Sequence, residues 1–322
     1  MYTFDITNRR GLFLTFPPLA SPPKNRGLVL SGGGVTGIAH VGALTELSSY
    51  HPFSFTHIIG SSAGVIVGIM VACGLSVEEM KVVIENTNLL SLLGTRFFPI
   101  NLYHLIWMKG WFTGAKLEEW FHNFLQDRLG NGDITFQEMF EKTGIHFTST
   151  YLSLRYRKTM YANHITKPKG KVKTYLTASC CVPFVFTPVL EPSEVKGEED
   201  YMLDGGTIDN YPADFFDTQG IPYLGLDLAF ENEMDIYNAR KFNQFLDQGI
   251  PASPVALGID LVEMFRYKLR GVIPALKDGK NTCFIDISGF SEIDFALTEE
   301  QKKELFERGV QAMKTWLVEQ AI

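Results

Sequence analysis

The chain has 322 residues, 45% hydrophobic and 20% charged, with a formal net charge of -7 and no long run of Lys or Arg. An acidic balance of this kind excludes a nucleic-acid binder, which needs clustered cations to neutralise phosphates. The densest basic run, Lys167, Lys169, Lys171 and Lys173, reads as a solvated turn beside Pro168 and Gly170. The four cysteines, Cys73, Cys180, Cys181 and Cys283, show no zinc spacing and read as buried free thiols in a reducing setting.

At the N-terminus Arg9 and Arg10 precede a short apolar run that Pro17 and Pro18 end, so residues 1–26 read as an arm packed on the domain rather than a signal peptide. Residues 27–30 form a short apolar strand ending in Ser31-Gly32-Gly33-Gly34, and a helix follows over residues 35–49. Residues 53–59 make the next strand and residues 63–73 the next helix. This stretch carries no Asp, Glu, Lys or Arg from Leu47 to Val77. A membrane span needs about 20 apolar residues in one helix, and Gly60-Ser61-Ser62-Ala63-Gly64 interrupts this one. It reads instead as a buried strand, a tight turn and a buried helix, with no transmembrane span. Ser76 followed by Glu78 and Glu79 marks a further helix start.

Between Arg96 and Phe112 lie Phe97, Phe98, Tyr103, Trp107, Trp111 and Phe112. The tract has two readings, a lid or lipid-contact surface and plain aromatic core. Residues 117–125 read as an amphipathic helix, and residues 145–147, 150–154 and 159–161 as three short strands. Residues 191–200 read as an acidic surface loop, residues 222–228 and 282–287 as buried strands, and residues 299–318 as a closing helix. Strands alternating with helices predict an α/β fold of three layers, a mostly parallel central sheet with helices on both faces. A single domain is expected over residues 27–322, its motifs within residues 27–212 and its C-terminal strands and helix within residues 213–322.

The most specific local signal is Gly60-Ser61-Ser62-Ala63-Gly64, a G-x-S-x-G at a strand-to-helix junction. A serine on so tight a turn projects its hydroxyl outward only if the residues two positions away lack bulk, as Gly60 and Gly64 do. The helix after it points amides at the developing negative charge of an acyl transfer. None of the seven histidines lies beyond His164, so a Ser–acid–His order would leave the second half of the chain idle. No histidine base is expected. The best alternative is Asp204, in Asp204-Gly205-Gly206, where two glycines let a loop turn sharply and present the carboxylate. Asn210 and Pro212 extend the pattern to D-G-G-x-x-x-N-x-P.

Gly32, Gly34 and Gly37 also spell a dinucleotide fingerprint, but that reading needs an acidic residue about 20 positions on, and none stands there. Ile38 and Ala39 stand where a phosphate-binding loop needs Lys and Ser or Thr. The remaining reading is an oxyanion hole built from Gly32, Gly33 and Gly34, each donor worth about 3 kcal/mol of barrier.

These three blocks, in this order, resemble the patatin-like phospholipase family. Gly32-Gly33-Gly34-x-x-Gly37 is similar to its oxyanion loop, Gly60-Ser61-Ser62-Ala63-Gly64 to its nucleophile elbow, and Asp204-Gly205-Gly206 to its base motif. The segment from Ala178 to Pro188 resembles its small-residue turn and Pro-containing stretch. The resemblance spans residues 27–212 and departs at Thr36, where the family usually carries Arg or Lys. It implies a catalytic dyad of Ser62 and Asp204, with Gly37, Gly60, Gly64, Gly205 and Gly206 supporting the motifs. It also implies no metal, no cofactor, and cleavage of acyl esters of phospholipids or other glycerolipids. The alternative is a catalytically idle or activator-dependent member that binds lipid or a protein. Three placements stay open: cytoplasmic, peripheral at a membrane, or exported without a cleaved signal peptide.

Overall fold

In a computed structural model the described residues are 26–50, 54–94, 110–191, 199–229, 281–292 and 294–320. The expected N-terminal arm up to residue 25, and most of the aromatic tract (Phe97, Phe98, Tyr103 and Trp107), lie outside them.

The chain opens with β1 (Arg26–Leu30), a one-turn 3-10 helix (Gly34–Gly37), α1 (Ile38–Tyr50), β2 (Phe55–Gly60) and α2 (Ala63–Ala72). Then come α3 (Val77–Asn86), α4 (Leu89–Leu93), β3 (Gly110–Phe112), α5 (Ala115–Leu129) and α6 (Phe136–Thr143). The sheet resumes with β4 (His146–Ser153) and β5 (Lys158–Ala162), followed by α7 (Val172–Cys180), β6 (Phe184–Phe186), β7 (Val189–Glu191) and β8 (Asp200–Asp204). The last elements are α8 (Asp214–Asp217), β9 (Tyr223–Ala229), β10 (Thr282–Asp286) and α9 (Glu299–Gln320).

The central sheet runs β10-β9-β1-β2-β4-β8-β7, with β5 also paired to β4. The first five strands of that order are parallel, and β8, β7 and β5 join antiparallel. Strand alternation divides the apolar residues between two faces. Leu28, Leu30, Ile58, Leu224, Leu226 and Leu228 join α1, α2 and α9 in the main core. Val29, Ile59 and Tyr223 face the other way, onto Ala213 and Phe216 at α8. Helices therefore cover both faces, with the thicker layer on the first. The largest helix–helix contact sets α9 on α1, close enough for Gly42 and Gly309 to face the partner helix's backbone.

Several boundaries follow local chemistry. α3 starts on the capping box of Ser76 and Glu79, and α6 on an equivalent one of Thr135 and Glu138 that the sequence reading passed over. The strands expected over 145–147 and 150–154 are one continuous strand. The polar pair between them, Thr148 and Ser149, is buried rather than looped out. The Ser149 hydroxyl donates to the Tyr175 carbonyl at 3.1 Å, and the Asn163 amide donates to Thr148 Oγ1 at 3.3 Å. The lysine run is only partly a solvated turn, because it leads into α7. Lys167 is held by Glu191 at 2.6 Å, and Lys171 and Lys173 both reach Asp133, at 3.0 and 3.1 Å. The four cysteines are free, Cys180, Cys181 and Cys283 buried and Cys73 half-buried. Among the described residues no helix is long and apolar enough to cross a membrane.

Candidate active site

β1 and β2 are parallel neighbours, with Leu30 level with Gly60, so the loops that follow them leave the same edge of the sheet. The Ser61 amide donates to the Leu30 carbonyl at 3.2 Å, and the chain then turns into α2. Ser62 sits on that turn at φ 49°, ψ -122°, in the left-handed region that non-glycine residues seldom adopt. Such backbone strain concentrates at functional sites because the surrounding fold must hold it in place. A Cβ on Gly60 would run into the backbone of Gly64, and one on Gly64 into the Leu30 carbonyl. The turn is therefore closed to any side chain at those two positions. Ser62 precedes the first residue of α2 without capping it, which leaves its hydroxyl uncommitted to the helix.

Register places the carboxylate. Gly60 is level with Ser149 on β4, and Tyr151, two residues on, is level with Asp204 on β8. Ser62 and Asp204 thus stand at the same end of the sheet, one on each side of β4, with about 10 Å between their strands. Asp204 is 2% exposed, and its Oδ1 accepts the Gly206 amide at 2.7 Å. Gly205 lies against Thr150, whose hydroxyl donates to the Gly60 carbonyl at 3.1 Å and so ties the Asp204 loop to the elbow.

The glycine loop after β1 is held from several sides. Gly32 donates its amide to the Asn210 carbonyl, and Asn210 Nδ2 donates back to the Gly32 carbonyl, both at 2.9 Å. The Gly32 amide is therefore spent on the scaffold. The amides of Gly33 and Gly34 have no partner among the described residues, and they are the donors the loop leaves over. Gly34 takes φ 55° beside the Glu292 carbonyl, which accepts the Val35 amide at 2.9 Å. Gly37 packs against Ala63, joining the loop to the first residue of α2. Thr36 stands where the resemblance leads one to expect Arg or Lys. It is fully buried, and its hydroxyl donates to the Gly33 carbonyl at 2.8 Å, fixing the turn from within.

His40 is the site's hidden support. Its Nε2 lies 2.9 Å from the Ser31 carbonyl, and burial lowers its pKa to about 4, so the neutral ring donates there. Ser31 Oγ in turn accepts the Leu228 amide at 2.8 Å. His57 of β2, His146 at the start of β4 and His164 just after β5 form a separate cluster, with His57 stacked on His146 at 4.3 Å. A lone histidine in the first turn of a helix carries no sequence signal for the contact His40 makes, whereas Asn210 was visible as part of its motif.

A small cavity, partly open to solvent, adjoins the loop. Gly34 and Ala63 line it beside the glycine loop and the elbow, and Ile66, Val67 and Met70 of α2, Ile84, Thr87, Leu92 and Trp120 complete a wall that is almost wholly apolar.

The patatin-like phospholipase family model matches residues 28–217, more than half of the chain. The chain belongs to the patatin-like phospholipase family. It is 28% identical to an uncharacterized protein of Acanthamoeba polyphaga mimivirus, over 94% of this chain and 97% of that one. A triacylglycerol lipase of Schizosaccharomyces pombe is 32% identical over 53% of this chain, which covers only 35% of the lipase. Among solved structures, VipD from Legionella pneumophila shares the fold, with a TM-score of 0.59 at 17% identity, covering 92% of this chain and 67% of that one.

Proposed function

We propose that this family member is a lipid acyl hydrolase acting through Ser62 and Asp204. The observation that carries the reading is the strained Ser62 at the start of α2, level with Asp204 across β4 and next to two unspent amides. Asp204 takes the Ser62 proton as Ser62 Oγ attacks an ester carbonyl. The amides of Gly33 and Gly34 receive the oxyanion; Gly32, first grouped with them, serves the scaffold instead. The alcohol leaves with the proton, and water activated by Asp204 then releases the fatty acid from the acyl-enzyme.

The apolar cavity gives the acyl chain a place to lie, with its carbonyl at Gly34 and Ala63. It presents Thr87 as its main polar side chain, and so suits a hydrocarbon tail rather than a head group. The family supports a glycerolipid ester as substrate, and the similarity to a triacylglycerol lipase keeps neutral lipid beside phospholipid. Contact with the lipid surface is peripheral on this reading.

The test is fatty-acid release from phospholipid vesicles and from triacylglycerol emulsions by wild type, Ser62→Ala and Asp204→Asn. Release should vanish in Ser62→Ala and fall by at least roughly a thousandfold in Asp204→Asn. Release that survives Ser62→Ala would remove the nucleophile, and full activity in Asp204→Asn would remove the base.

A further inference from the structure

The strained backbone of Ser62 needs something to hold it, and the end of α7 does so. Residues 172–181 run almost wholly buried beneath the site, and α7 is anchored to β4 where the Ser149 hydroxyl meets the Tyr175 carbonyl. The last turn delivers three consecutive side-chain or backbone groups to the site. Ser179 Oγ accepts the Ser62 amide at 3.2 Å, an amide that lies before the first helical turn and has no partner within α2. Cys180 Sγ donates to the Ser62 carbonyl at 3.5 Å. Burial, with Asp204 adding to it, raises the Cys180 thiol well above its ordinary range and keeps it protonated as a donor. The Cys181 carbonyl accepts the Asp204 amide at 2.9 Å.

One tripeptide thus grips both peptide groups of Ser62 and the amide of Asp204. The direction in which a serine's Cα–Cβ bond leaves the chain follows from its φ and ψ, and a left-handed residue relaxes unless its flanking peptide planes are fixed. We infer that Ser179 is a positioning residue for the nucleophile, and that the Ser179-Cys180-Cys181 end of α7 sets Ser62 and Asp204 relative to each other. This rests on the acyl-hydrolase reading above. Simple packing would require only volume at position 179, whereas positioning requires a hydroxyl acceptor.

The two requirements separate in the rate at which a fluorophosphonate probe labels Ser62, with Ser62→Ala as the blank, alongside kcat and KM on a soluble short-chain ester. Labelling and kcat should fall at least tenfold in Ser179→Ala while KM stays within twofold, and Ser179→Thr should recover most of the loss. Wild-type labelling by Ser179→Ala, or Thr as poor as Ala, overturns the inference. If Ser179→Ala does not fold, the second pair decides it: Cys180→Ala must slow labelling and Cys180→Ser must not. A wild type that the probe never labels removes the acyl-hydrolase reading itself, and this inference with it.

Discussion

At the scale of single residues, the site depends on buried polar groups whose partners are backbone atoms. His40 is the one whose charge state changes within the ordinary working range of pH. Its pKa of about 4 in the folded chain lies below the ordinary 6.5, so between those values the unfolded chain binds a proton that the native one refuses. Stability contributed by the neutral ring is therefore complete above pH 6.5 and drains away as pH falls toward 4. Chemical denaturation at pH 7 and pH 5 should differ by about 2 kcal/mol more in wild type than in His40→Gln, which keeps a donor for Ser31 but does not titrate. Equal differences in the two proteins would show that His40 is not buried neutral. Thr36 makes a related point. A polar group at a fully buried position needs a partner, and the Thr36 hydroxyl finds one in the Gly33 carbonyl.

At the scale of elements, α2 works at its N-terminus and along its flank. Its amides face the site, while Ala63, Ile66, Val67 and Met70, at positions i, i+3, i+4 and i+7, present one stripe to the cavity. From Ala63 to Met70 the stripe runs about 10 Å. At about 1.2 Å per extended chain bond, that accommodates roughly eight bonds of a fatty acid. Each methylene seated there is worth about 0.8 kcal/mol. In a series of soluble esters, kcat/KM should rise from butyrate to about octanoate and then level off. Ile66→Trp, which narrows the cavity one turn from Ser62, should lower octanoate turnover roughly tenfold and leave butyrate within about twofold. A chain-length profile unchanged by Ile66→Trp would place the acyl chain elsewhere. Trp120 closes another wall, its ring stacked on Phe124 at 5.7 Å and edge-on to Phe121 at 5.1 Å.

At the scale of the whole molecule, the C-terminal part belongs to the site's foundations although the family match ends at residue 217. β9 and β10 extend the parallel sheet beyond β1, and α9 covers α1. The Glu292 carbonyl, from the loop between β10 and α9, closes on the glycine loop. We propose that residues 27–322 fold as one unit for this reason. Leu305 is fully buried in the main core, so Leu305→Ala should cost roughly 2–5 kcal/mol in urea unfolding. A loss below 1 kcal/mol would mean that α9 is an appendage. The elements around the motifs were legible from sequence because their signals are local: an apolar run ending in glycine, a serine cap, a helical stripe. β3, β6, β7 and β8 were missed. They are three to five residues long, and what makes them strands is pairing with distant partners.

The sequence alone set out the candidate groups and their order along the chain: glycine loop, serine elbow, aspartate loop, and no histidine after His164. Those features follow from which residues lack side chains and which carry a nucleophile or a carboxylate. Tertiary structure decided which glycine amides remain unspent, that the buried Thr36 bonds the Gly33 carbonyl, and that His40, Asn210 and the end of α7 meet the loops. The contacts of Asn210 with Gly32 and of Ser179 with Ser62 join residues far apart in the chain. A hydrogen bond across such a separation leaves no periodicity behind, because folding brings the partners together and nothing in their local sequence requires it.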